Sequence, residues 1–168
     1  SEEERDLRAE RIAQAALKFH MFRFTPKKSF EYNPKESIDF NGQTGPYCLY
    51  TYARTRSILR KADADAPGFD GTAAARLGTP QERTVLWDIA AFPRQVQEAA
   101  RLLDPSRIAE YVYTLCKDFN LMFADRAGHP IVTCEDPELR RGRLLLAHGV
   151  GVTIRGALAL LGIETLEE

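Results

Sequence analysis

Between positions 45 and 62 the chain reads Gly-Pro-Tyr-Cys-Leu-Tyr-Thr-Tyr-Ala-Arg-Thr-Arg-Ser-Ile-Leu-Arg-Lys-Ala. At about 100° per residue, Tyr47, Tyr50, Arg54, Ser57 and Lys61 share one stripe of a helix. Aromatic faces alternating with cations suit RNA: unstacked bases lie on the rings while the cations hold phosphates. The same pattern also fits two half-buried tyrosines beside a solvated basic face. Candidates for other chemistry are missing. His20, His129 and His148 are isolated in sequence, and His129 and Cys134 lack metal-ligand spacing. No Ser, Cys or Asp stands in a nucleophile motif. The glycines are scattered rather than gathered into a phosphate loop. The carboxylate runs Glu2–Glu4 and Glu167–Glu168 have the pattern of a solvated face or tail. The reading therefore assigns no catalytic residue and no metal ligand.

A helix must carry that stripe. Asn41-Gly42 marks a turn before it, Pro46 suits its first turn, and no breaker follows until Pro67-Gly68, so a helix is predicted over about 46–61. Its other face, Cys48, Tyr52, Thr55, Leu59 and Ala62, is mostly apolar and can meet a core. Upstream, residues 2–22 read as an amphipathic helix through Leu7, Ile12, Ala15, Ala16 and Phe19. Phe30 and Tyr32 suggest a short extended piece. Asn33-Pro34-Lys35-Glu36 looks like a capped start with Glu36 reaching back, opening a short helix that carries Ile38 and Phe40. Downstream, residues 63–79, rich in Ala, Asp and Gly, read as a linker or mobile loop. Thr79-Pro80-Gln81-Glu82 makes a capping box for a helix through Val85, Leu86, Ile89 and Phe92, which Pro93 should kink or split. Asp104-Pro105 opens the next, with Ile108, Tyr111, Val112, Leu115, Phe119, Met122 and Phe123 in a three-four repeat. Asp136-Pro137 opens the last. Its core stripe is Leu146, Val150, Ile154, Ala157 and Leu161, Leu144, Leu145, Val152 and Leu160 extend the apolar surface round it, and Gly162 stops it. A helix apolar nearly all round belongs in the middle of a bundle.

The whole is 168 residues with 44% hydrophobic content and a formal net charge of −1. That balance excludes a general polyanion binder and leaves only local recognition of nucleic acid. Nothing reads as a secretory signal or a transmembrane run. Cys48, Cys116 and Cys134 have no paired spacing, which points to a reducing compartment and a cytoplasmic protein. The charged, helix-prone opening after Ser1, without Met, suggests a piece of something longer.

Gly45-Pro46-Tyr47-Cys48-Leu49-Tyr50, with Ala53-Arg54 and Ser57-Ile58-Leu59-Arg60, closely resembles the G-P-Y-x-Q-Y-x-x-A-R-x-x-S-I-L-R signature of the arginyl-tRNA synthetase family. Leu49 departs from the family's Gln. Looser likenesses are Ala15–Phe19, Phe30–Tyr32 and the run from Arg143 to Ile163. Within that last run His148-Gly149-Val150-Gly151 replaces an Asp-Ala-Leu-Arg-type tetrad, so no role of its Arg carries over. The mid-helix glycines imply close packing or a loose helix. The family usually ends in Met slightly beyond residue 168. The resemblance implies an all-α helical bundle of the class I synthetase anticodon-binding type. Residues 1–43 would be the end of the catalytic domain, and 44–168 the helical anticodon-binding domain. It further implies a monomer that binds the anticodon stem and loop of tRNA(Arg) through Tyr47, Tyr50, Arg54, Lys61 and Phe123. Phe123 fits a core position equally well. The family's His-x-Gly-His and Lys-Met-Ser-Lys-Ser elements are absent, so arginine, ATP and magnesium would belong to another part of the enzyme and this part alone would be inactive. Two alternatives stay open: a protein-interaction bundle with no RNA role, and the anticodon domain of another synthetase.

Overall fold

The computed structural model describes residues 2–63, 68 and 70–166. Among them the helices are α1 (Glu2–Phe22), α2 (Pro34–Ser37), α3 (Gly45–Lys61), α4 (Gly71–Ala74), α5 (Pro80–Leu102), α6 (Ser106–Ala124) and α7 (Pro137–Leu160). No strand occurs among the described residues. The fold is all-α.

Local caps start most of these helices. Thr44 Oγ1 accepts from the Tyr47 N–H at 3.2 Å, with Pro46 in the first turn of α3. Thr79 and Glu82 form the expected reciprocal box on α5. Asp136 accepts from the N–H groups of Glu138 and Leu139 on α7. Each satisfies N–H groups that the helix cannot pair itself. At its far end α7 stops at Gly162, whose φ of +65° is open to glycine at no steric cost.

The core lies where α3, α5, α6 and α7 meet, filled by Leu59, Val85, Leu115, Phe119, Met122, Val150 and Ile154. α7 packs against α3, α4, α5 and α6. Its glycines are packing devices rather than weak points. A Cβ on Gly151 would stand 2.6 Å from Thr55 Oγ1, so its absence lets α7 close onto α3. Gly45 does the same at the start of α3, where a Cβ would come within 2.3 Å of the Ala15 carbonyl oxygen of α1.

Several expectations need correction. Pro93 does not split α5, which runs unbroken past it. α6 packs on the turn just before the proline: Tyr111 stacks on Phe92 at 5.6 Å and donates its hydroxyl proton to the Asp88 carbonyl at 2.7 Å. α2 ends at Ser37, whose hydroxyl turns back to the Pro34 carbonyl, so Ile38 and Phe40 lie beyond it and are exposed. Glu36 does not reach back to cap α2; its carboxylate takes Arg23 instead at 2.6 Å. Phe30 and Tyr32 lie in a stretch without regular secondary structure, and their rings, with Phe24, surround the buried imidazole of His20. Of the loop predicted over 63–79, residues 64–67 and 69 lie outside the described residues. Its later part is helical at α4, capped by Asp70, with Ala73 fully buried against α7. α7 has the length and hydropathy of a membrane-crossing helix, and the bundle buries 56% of that stretch, as in a core helix. It is not apolar-buried all round, since Val152 and Leu160 face outward.

One carboxylate on the α5–α6 seam is out of balance. Burial, then the charge and hydrogen bond of Asp118, push Asp88 up to about 6. Its Oδ2 is buried without a hydrogen-bond partner. A carboxyl raised in the folded state carries no penalty below its unfolded value near 4 and its full penalty above about 6. Asp88→Asn should therefore stabilise the protein by about 1 kcal/mol at pH 7 to 8, after allowance for solvent screening, and by nothing near pH 4. Urea unfolding across that range checks it; a gain independent of pH would contradict the assignment.

Candidate nucleic-acid interface

The tyrosine and arginine stripe of α3 faces the end of α6. Tyr50 is 51% exposed. The Arg54 guanidinium stacks on its ring at 4.7 Å and on the Phe123 ring of α6 at 5.0 Å, so the cation sits between two aromatic faces. Phe40 meets Tyr50 edge-on at 6.5 Å. Arg54 Nη1 also donates to Asn120 Oδ1, one turn before Phe123. The Asn120 amide in turn donates to the Tyr47 hydroxyl at 3.0 Å and to Thr51 Oγ1 at 2.9 Å. One amide thus aims the guanidinium and ties α3 to α6.

Tyr50, Arg54, Ser57, Lys61 and Phe123 border a groove of about 690 Å³. Arg60, Arg126 and the loop segment from His129 to Thr133 also line it. Arg54, Arg60, Lys61 and Arg126 make four cations on this lining, and no carboxylate is among the described residues there. In a chain of net charge −1 that is a local concentration of positive potential beside open aromatic surface. It can hold phosphates and receive bases.

Of the residues singled out from sequence, the structure brings Tyr50, Arg54, Lys61 and Phe123 together on this groove. Tyr47 lies apart from them. It is half-buried and packs on Tyr113 at 5.5 Å, with Asn120 holding its hydroxyl. Burial raises its hydroxyl above the usual tyrosine range, against the Asn120 hydrogen bond. Leu49, at the family's Gln position, is buried in the core. His148 stands half-buried on α7, held below the usual histidine range by burial and then by Arg56 and Arg155. Asn120, Arg126 and the 129–133 wall were not found from sequence. The one available signal was spacing: Asn120 lies three residues before Phe123, on the same face of α6.

The His129 ring is held by two side chains. The imidazole is engaged by Asp125 at 3.2 Å and Thr79 at 2.9 Å. Among the described residues no group of three or more His, Cys, Asp or Glu could hold an ion.

The fold and groove define an all-helical domain with an open aromatic and basic face. Comparison with known proteins narrows this. Residues 48–168 match the model of the DALR anticodon binding domain, and the chain belongs to that family. Arginine–tRNA ligase of Methanopyrus kandleri is 38% identical over 167 residues, covering 99% of this chain and 27% of that protein. The enzyme of Flavobacterium psychrophilum is 39% identical over the same length and shares. The solved arginyl-tRNA synthetase of Thermus thermophilus superposes with a TM-score of 0.83 at 35% identity, over 95% of this chain and 27% of that one. The chain thus spans about a quarter of the length of these relatives.

Proposed function

We propose that this chain serves as the tRNA-binding part of an arginine–tRNA ligase and that its groove receives the anticodon loop of tRNA(Arg). The observation that carries this is the Tyr50–Arg54–Phe123 stack opening onto a groove lined also by Arg60, Lys61 and Arg126. Arg54 already covers one face of Tyr50, so an unstacked base lies on the other face. Lys61 and Arg126 are placed to hold the phosphates on either side. Tyr47 supports the site from beneath, through Asn120, in addition to any contact of its own.

Joining arginine to tRNA, with ATP and magnesium, would belong to the remainder of such an enzyme. The residues present do not fit those groups: the glycines form no phosphate loop, and the described acidic residues gather in no ion-holding cluster. We assign the protein to the cytoplasm, as a monomer without membrane attachment. Three unpaired cysteines support the compartment.

A salt titration with an anticodon stem-loop of arginine tRNA tests the reading. Each phosphate neutralised contributes a slope of about −0.7 to −0.9 in log affinity against log salt, so the two held by Lys61 and Arg126 give roughly −1.5. A flat slope, or equal affinity for an unrelated hairpin, would overturn it. The first result would favour a protein partner and the second another tRNA.

A further inference from the structure

The groove has a helical wall, α3, and a second wall made by the loop between α6 and α7. That loop has no secondary structure over residues 129–130 and 134, yet side chains from behind hold it at several points. Arg143 Nη1 donates to the Pro130 carbonyl at 2.8 Å and Nη2 to the Gly128 carbonyl at 3.1 Å. Arg140 Nε donates to the Val132 carbonyl at 3.0 Å. Arg143 is 4% exposed and its Nε donates to Glu82 Oε1 at 2.8 Å; Glu82 is 1% exposed. The other oxygen of Glu82 accepts from the Gly78 and Thr79 N–H groups at 2.9 and 3.0 Å. The capping box of α5 therefore continues, through one buried ion pair, into the carbonyls of the groove wall.

We infer that Arg143, aimed by Glu82, is a positioning residue for the RNA groove: its planar fork holds the 128–130 backbone and so sets the groove's width before any RNA arrives. The inference rests on the reading of the groove given above. Neither side chain lines the groove, so neither touches RNA. A buried pair of this kind is weak evidence for stability as such, and here it has a geometric task. The guanidinium meets a carboxylate and two carbonyls at once, which a lysine ammonium at the end of a flexible stem cannot reproduce. A wall held in place spares the RNA the cost of ordering it.

Arg143→Lys in the 168-residue chain is the test, because it keeps the charge opposite Glu82 while releasing the loop carbonyls. Cys134, in the same loop, reports its release from Arg143: it is half-buried with its Sγ 4.0 Å from Arg143 Nη1, whereas Cys48 and Cys116 are sealed in the core. The variant should stay helical by circular dichroism while Cys134 reacts several-fold faster with iodoacetamide. Affinity for the anticodon stem-loop should fall about 5- to 20-fold, the factor by which the closed loop is depopulated. Its salt slope should not change, since no phosphate contact is lost. Unchanged alkylation together with unchanged affinity would overturn the inference and leave the groove reading standing. Failure of the unmodified chain to bind the stem-loop would overturn both. Should Arg143→Lys not fold, Arg140→Gln decides by the same two readouts, with a smaller effect in the same direction expected and none fatal to the inference.

Discussion

Glu82→Ala should lower the unfolding free energy by about 3–5 kcal/mol, the cost of leaving a buried charge without its partner. Against a total stability of roughly 5–15 kcal/mol this is a large share. The Arg143 guanidinium would keep its two loop carbonyls and lose the only carboxylate within reach among its described contacts. The N–H groups of Gly78 and Thr79 would lose their acceptor as well. Burial works to raise the Glu82 carboxyl, and the Thr79 N–H, the Arg143 guanidinium and the Gly78 N–H outweigh it, so the net direction is downward. The stability that Glu82 lends is therefore present above the ordinary glutamate range and lost as pH falls through its lowered folded value. Removing Glu98 from its exposed pair with Arg101 should cost far less, because water screens that pair. Urea denaturation of both variants makes the comparison, and equal losses would show that burial of the first pair carries no special weight.

Tyr50→Ala should weaken binding of the anticodon stem-loop by about 1–3 kcal/mol, roughly 5- to 150-fold, with the melting temperature almost unmoved. The ring is half in solvent, and truncation also frees one face of the Arg54 cation. Tyr47→Ala should show the opposite balance. Its ring packs on Tyr113 and its hydroxyl is fixed by Asn120, so thermal stability falls first. Filter binding and thermal melts on the two variants suffice. A large melting shift for Tyr50→Ala, with binding lost only in proportion, would make that ring structural. In a longer enzyme the same substitution should impair tRNA use far more than arginine activation.

Elements specified by neighbours in sequence were legible before any coordinates. The Thr79–Glu82 box, the Asp136 cap and the Gly162 stop each involve residues a few positions apart, and the chemistry of capping names them. The opposing faces of α3 were legible from period alone: Cys48, Tyr52, Thr55 and Leu59 are all buried, and Tyr50 and Lys61 are exposed. Expectations failed where a distant residue intervened. Pro93 is an interior proline by any local rule, yet α5 runs on past it, with Tyr111 of α6 packed on the turn before it. Glu36 had a local use as a cap, and Arg23, thirteen positions away, offered a stronger one. Likewise Asn120 shows no helical signal of its own. Its importance comes from meeting Arg54, Tyr47 and Thr51, 66 to 73 positions earlier in the chain. The second wall of the groove was hidden for the same reason, since Glu82 and Arg143 are 61 positions apart and neither spacing nor composition joins them.

The missing side chain at Gly45 has a mechanical corollary. With the backbone of α1 resting directly against the first turn of α3, no compliant layer lies between them to absorb a tilt. The two rods must swing as a single lever, and Tyr50, five residues along the second, swings with them. A spin label on the solvent-facing opening turns of α1 would then report the attitude of the aromatic platform without being placed anywhere near it.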